Sequence, residues 1–285
     1  MPRRSRVALA VLLLACARAA AGGEPERVAI PQAGVSTSPA PLVGYVFKPA
    51  KDAPHGAVVM LHGCGGAYDR KGGVNARHRM WGDYLASLGY AAVLVDSFTP
   101  RGLEEICTTA MKARTLKESE RAGDAYAALA WVSAQPGIDA QKVMLLGWSH
   151  GAGVTLATIT RNRPPQRFRA AVAFYPGCTA HAEHADRFHP YAPLLVLIGE
   201  SDDWTPAAPC RSLADAVRAR GEPMSIVLYP GTYHDFDNPA LGTKRVRHEV
   251  PNGVHPGEGV TTAPNPLARE DAKQRVAEFL GRQLQ

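Results

Sequence analysis

The segment Gly147-Trp148-Ser149-His150-Gly151 sets one serine between two glycines. It follows the apolar run 143–147 and precedes the helical stretch 152–160. Strand, tight turn and helix in that order are the context in which G-x-S-x-G exposes a nucleophile. The bend is so sharp that the serine must take a strained backbone conformation, and the residues two positions away must be glycine to avoid collisions. Strain lifts the hydroxyl clear of the sheet. The next helix begins beside it, with free backbone N–H groups and a positive dipole end.

A serine hydroxyl is a weak nucleophile and needs a base that an acid orients. Where G-x-S-x-G is the nucleophile turn, the partners follow in the order Ser, acid, His. Residues 194–198 end in Gly199-Glu200-Ser201-Asp202-Asp203-Trp204-Thr205-Pro206, and residues 225–229 end in Pro230-Gly231-Thr232-Tyr233-His234-Asp235. Acid and histidine thus follow the carboxyl ends of two strands, where open α/β sheets bind ligands. His234 would take the Ser149 proton, and Asp202 would hold the imidazole tautomer. Asp203 is the alternative acid.

The turn His62-Gly63-Cys64-Gly65-Gly66 after residues 57–61 resembles the H-G-G-G turn of esterases. Its Cys64 N–H and that of His150 would form an oxyanion hole. Arg101, in the loop after residues 91–96, would bind a substrate carboxylate bidentately. Trp148 and Trp204 flank the candidate residues and would line the pocket, with core packing the alternative. His181, His184 and His189 are irregularly spaced with no thiolate pair nearby, so no metal is expected.

The elements that must carry these residues are candidate strands at 42–47, 57–61, 91–96, 143–147, 170–175, 194–198 and 225–229. Several are unbroken apolar runs, as in parallel strands covered on both faces. Between them, Thr115 and Glu118 make a capping box for a helix that Pro136-Gly137 stops. Thr205 and Pro206 open a second helix, carrying Cys210, Leu213, Ala214 and Val217. Asn265-Pro266 opens a last one, carrying Ala272, Val276, Phe279 and Leu280. Strand–helix alternation predicts an α/β fold, a mostly parallel sheet with helices on both faces. No repeat or linker divides residues 22–285, which are expected to form one domain. Residues 237–266, rich in Gly, Pro and Asn, read as a surface loop.

The chain has 285 residues, 46% hydrophobic and 20% charged, and its 27 glycines and 23 prolines fall below the range of low-complexity chains. The net charge of +6 is concentrated at the start: Arg3, Arg4, Arg6 and Arg18 lie in residues 1–21, which hold no acid. Three arginines, the apolar stretch 7–15 and Ala19-Ala20-Ala21 read as a secretory signal over residues 1–21. A buried N-terminal helix is the alternative. Leu13-Leu14-Ala15-Cys16 also resembles a lipobox, which would anchor a lipid at Cys16. No apolar run approaches the ~18 residues of a membrane span, and no basic face suggests nucleic acid. The oligomeric state is left open. In an oxidising compartment Cys64, Cys107, Cys178 and Cys210 allow three full pairings. A Cys178–Cys210 bridge is expected, since each follows closely after a neighbouring candidate strand; two buried free thiols are the alternative.

Taken together, the HGCGG turn, Asp96-Ser97-Phe98 with Pro100-Arg101-Gly102, the GWSHGA bend, Asp202-Asp203-Trp204-Thr205-Pro206 and Tyr233-His234-Asp235-Phe236 resemble the dienelactone hydrolase family of α/β-hydrolases. The resemblance covers nearly all of the chain after residue 21. It implies an α/β-hydrolase fold and a cofactor-free hydrolase of small carboxylic esters or lactones. The best-known members carry Cys at the bend and are cytosolic, whereas this chain has Ser149 and an export signal. The expectation is therefore an exported serine esterase or lactonase working through an acyl-enzyme. A peptidase or acyltransferase with the same three residues, or a non-catalytic binding protein on this scaffold, are the alternatives.

Overall fold

The computed structural model describes residues 23–50, 55–160 and 166–283. The expected signal segment and Cys16 lie outside the described residues.

Eight strands form one sheet: β1 (Glu26–Ile30), β2 (Leu42–Phe47), β3 (His55–Leu61), β4 (Ala91–Asp96), β5 (Ile138–Trp148), β6 (Ala171–Phe174), β7 (Leu194–Gly199) and β8 (Met224–Tyr229). Their spatial order is β1-β2-β4-β3-β5-β6-β7-β8. Strands β3 to β8 pair in parallel, while β1 on β2 and β2 on β4 are antiparallel. The helices are α1 (Ala76–Ser87), α2 (Glu118–Ser133), α3 (His150–Ile159), α4 (Thr179–Glu183), α5 (Ala207–Ala219) and α6 (Pro266–Arg282). Successive residues of β6 and β7, and of β5 from Val143 to Trp148, are all buried, so both faces of the sheet are covered there. The α/β sheet with helices on both faces is the expected architecture.

Four local features differ from the expectation. Strand β1 lies upstream of every candidate strand. At the start of α2 the box is shifted: the Lys117 N–H donates to the Glu120 carboxylate at 2.7 Å, because Leu116 turns inward and Thr115 stays exposed. Helix α5 begins at Ala207, not at a Thr205 cap, since the Thr205 hydroxyl donates to the Tyr175 carbonyl at 3.0 Å. Residues 237–266 are not simply a surface loop. Within them β9 (Arg245–Arg247) pairs with β10 (Val260–Thr262), and β10 is buried and bridges His234.

Two disulfides form, Cys178–Cys210 as expected and Cys64–Cys107. The first joins the segment after β6 to α5. The second ties the glycine-rich turn after β3 to the loop before α2.

Candidate active site

The sharp bend forms between β5 and α3. Ser149 sits there at φ 52° and ψ −117°, a conformation L-residues rarely hold. A Cβ on Gly147 would collide with the Gly151 carbonyl, and one on Gly151 with the Leu61 carbonyl. Both glycines are thus dictated by backbone closeness, as the sequence suggested.

His234 follows β8 and Asp202 follows β7, and the sheet order sets both beside the end of β5. The His234 Nδ1–H donates to Asp202 Oδ2 at 2.7 Å. The Ser149 hydroxyl donates to His234 Nε2 at 3.0 Å. An ionised carboxylate only accepts, so it fixes the Nδ1–H tautomer and leaves Nε2 free to take a proton. Asp202 Oδ1 meanwhile accepts the N–H groups of Trp204 and Thr205, at 2.9 and 2.8 Å. Asp203, the alternative acid, turns away to take the Thr261 N–H at 2.7 Å and hydroxyl at 2.6 Å.

All three side chains are buried, with Ser149 the most open at 8% exposure. Burial alone would lower the His234 pKa, but the charge and hydrogen bond of Asp202 outweigh it and raise it above 6.5. The Tyr175 ring lies 4.5 Å and the Trp204 ring 4.6 Å from the imidazole, sheltering it from water.

Ser149 opens on a cavity of about 380 Å³, lined in part by Cys64, His150, Glu118, His181, Trp204 and Thr205. Cys64, His150 and Trp204 thus line the same cavity as the serine. Glu118 carries a carboxyl that burial pushes up to about 7 against the pull of Arg121 and Arg114. Of the three histidines set aside as ligands, His181 reaches the cavity, while His189 pairs with Glu222 at 2.6 Å.

Two expected substrate contacts are overturned. Arg101 grips Asp124 with both guanidinium nitrogens at 2.9 Å and donates to the Ser97 carbonyl at 2.6 Å. The Nη1/Nη2 fork that would hold a substrate carboxylate is thus occupied by a carboxylate of the protein. Trp148 is fully buried on the other side of the bend: its ring stacks on Phe174 at 5.9 Å and its N–H donates to Asp237 at 2.9 Å. Alternation along β5 turns Trp148 away from the cavity once Ser149 faces it.

The sequence reading missed a buried polar cluster behind His234. Arg77 of α1 pairs with Asp235 and donates to the Tyr175 hydroxyl at 3.0 Å, which in turn donates to Asp237 at 2.6 Å. Asp237 also accepts from Trp81 at 2.8 Å. The acids at 235 and 237, flanking Phe236 just after the histidine, are the one signal that pointed here.

A mostly parallel eight-stranded sheet, with a serine on a strained strand–helix bend and acid and histidine after later strands, defines an α/β-hydrolase. The dienelactone hydrolase family model matches residues 42–284. The chain belongs to the dienelactone hydrolase family.

A Klebsiella pneumoniae structure assigned as a dienelactone hydrolase is similar, with TM-score 0.68 at 20% identity, covering 90% of this chain and 97% of that one. Thermogutta terrifontis esterase 2, phosphoramylated by tabun, gives 0.63 at 20% identity, covering 91% and 94%. By sequence, the acylamino-acid-releasing enzyme 2 of rice is 26% identical over 235 residues, 68% of this chain and 29% of that protein. An uncharacterised Mycobacterium tuberculosis protein is 31% identical over 139 residues, 41% of this chain and 47% of its own. The chain thus spans less than half the length of these curated relatives.

Proposed function

We propose that the protein is a serine hydrolase that cleaves small carboxylic esters or lactones through an acyl-enzyme. One observation carries this reading: a hydroxyl on a strained bend, 3.0 Å from an imidazole that a carboxylate holds at 2.7 Å. Ser149 Oγ attacks the carbonyl carbon while its proton passes to His234 Nε2. The carbonyl π-electrons become an oxyanion facing the backbone N–H groups of Cys64 and His150. As the oxyanion collapses, the C–O bond to the alcohol breaks and His234 returns the proton to the leaving oxygen. Water then repeats the sequence on the acyl-serine: His234 takes its proton, the acid leaves and Ser149 regains its hydrogen.

The cavity volume is at the small end of the ~300–1,000 Å³ of small-molecule sites, which favours short esters over polymers. The Thermogutta esterase, described with propionate and butyrate bound, is consistent with that choice. The rice relative favours a second reading, release of acylated amino acids from peptides by the same three residues. Two disulfides support an oxidising compartment, in line with export by residues 1–21.

Hydrolysis of p-nitrophenyl acetate and of N-acetylalanine p-nitroanilide tests the reading. The acetate is expected to be the better substrate, and the anilide would lead if the peptidase reading held. Ser149→Ala and His234→Ala should each lose nearly all activity, because such residues act as a unit. A fluorophosphonate should label Ser149, as read by mass. No label on the wild-type protein would leave a binding protein on this scaffold.

A further inference from the structure

Arg121 of α2 is fully buried, yet no carboxylate is among its hydrogen-bond partners in the described residues. One guanidinium nitrogen donates to His150 Nδ1 at 2.8 Å and another to the His62 carbonyl at 3.0 Å, while Nε has no partner. The Phe98 ring lies 5.0 Å from the guanidinium carbon. Burial pushes the guanidinium down to about 10, against the pull of Asp124, so it stays charged at neutral pH. A buried cation satisfied only by neutral acceptors is costly, and an apolar residue of similar size would serve packing better.

Those two acceptors belong to two particular segments. His62 opens the turn that carries Cys64, and His150 directly follows Ser149. One fork therefore spans both backbone donors of the proposed oxyanion hole. We infer that Arg121 is a positioning residue that clamps the Cys64 turn and the start of α3 together, setting their N–H groups for the oxyanion. This inference rests on the acyl-enzyme reading and deepens it.

The remaining bonds leave each segment little other freedom. The His62 Nδ1–H donates to the Gly63 carbonyl at 2.8 Å, and its Nε2 accepts the Ser97 N–H at 3.2 Å. The Cys64–Cys107 bridge and the Ile106 N–H on the Cys64 carbonyl, at 2.8 Å, close the outer side of the turn. Because a guanidinium only donates, His150 Nδ1 must accept, which puts the ring proton on Nε2. Burial, then the Arg121 charge, hold both rings well below the usual histidine pKa. The clamp is thus one cation between two neutral imidazole-bearing segments, braced by a disulfide.

Arg121→Met and Arg121→Lys test it on p-nitrophenyl acetate. Misplacing preorganised donors lowers turnover more than binding, so kcat should fall ~10²-fold in Arg121→Met while KM moves little. Lysine, with one head group for two acceptors, should keep part of the loss. Affinity for a trifluoromethyl ketone, whose adduct is an oxyanion, should fall in step with kcat, and product inhibition by acetate should not. A folded variant with wild-type kcat, or one whose ketone affinity stays unchanged, overturns the clamp. If neither variant is soluble, His150→Leu removes one acceptor and should lower kcat at steady KM; wild-type kcat there overturns it equally. Fluorophosphonate labelling of the wild-type Ser149 separates the two levels. Absence of label defeats the underlying reading, whereas labelled enzyme with undiminished variants defeats the clamp alone.

Discussion

Replacing Asp202 by Asn is nearly isosteric, yet the surroundings dictate which way the amide turns. Asp202 Oδ1 accepts two loop N–H groups, from Trp204 at 2.9 Å and Thr205 at 2.8 Å. Only the amide oxygen can take that place, so the NH₂ group must face His234 Nδ1, where Oδ2 stood at 2.7 Å. A donor facing Nδ1 forces that nitrogen to accept and moves the ring proton to Nε2. There it blocks transfer from Ser149 Oγ, 3.0 Å away. The geometry survives, but the tautomer is wrong. The analogous change in a serine protease costs ~10⁴ in kcat, equivalent to about 5.5 kcal/mol of transition-state stabilisation. We expect Asp202→Asn to lose activity on p-nitrophenyl acetate to that extent, with its melting temperature changed little. Nitrogen-15 NMR of the labelled imidazole should show the proton moved from Nδ1 to Nε2. Activity within tenfold of wild type would refute the reasoning, because it would show that Asp202 does not set the tautomer.

Two further outcomes follow from the same geometry. In the proposed mechanism neutral His234 is the base, and its pKa is raised above 6.5, so kcat/KM should fall as pH drops through a midpoint above 6.5; a midpoint at or below 6.5 contradicts it. The same raised pKa stabilises the fold below the ordinary histidine value and is lost as pH climbs through the folded one, so this increment runs opposite to activity. Arg101→Ala should break the ion pair of the buried Asp124 carboxylate, leaving it the Ser36 hydroxyl and the more distant Arg121 charge, and destabilise the fold by ~3 kcal/mol by denaturant titration. It should not discriminate acidic from neutral esters, and a selective rise in KM for acidic esters would restore a substrate contact.

What the sequence made legible lies where chemistry and chain order coincide. Ser149, Asp202 and His234 each stand a few residues past an apolar strand, so local spacing was enough to find them. Arg101 was misread because its partner, Asp124, is far along the chain, on a helix recognised by its start and stop signals. Arg121 was passed over for the same reason: its partners, His62 and His150, lie far from it in the chain. Trp148 was misplaced because facing depends on the bend, which turns consecutive side chains to opposite sides. Strand β10 has three residues, and only its pairing with β9 and its bridge to His234 make it an element. None of those partners is a sequence neighbour, so no local period could reveal them.

The cluster behind His234 explains how that loop tolerates two further acids beside the Asp202–His234 pair, the partly exposed Asp235 and the fully buried Asp237. Burial opposes the ionisation of Asp235, but the Arg77 charge outweighs it and holds the pKa below the ordinary value. At Asp237 the balance reverses: burial dominates and raises the pKa, even though Arg77, Tyr175 and Trp81 favour the anion. One cation therefore serves two carboxylates unequally, and three hydrogen-bond donors at 2.6–2.9 Å complete the second. Those donors come from α1, β5 and the end of β6, which ties the histidine loop to the strand that ends at the serine. The two acids thus hold the loop without drawing the imidazole away from Asp202, since Arg77 pairs with Asp235 and donors from the sheet side take the lone pairs of Asp237.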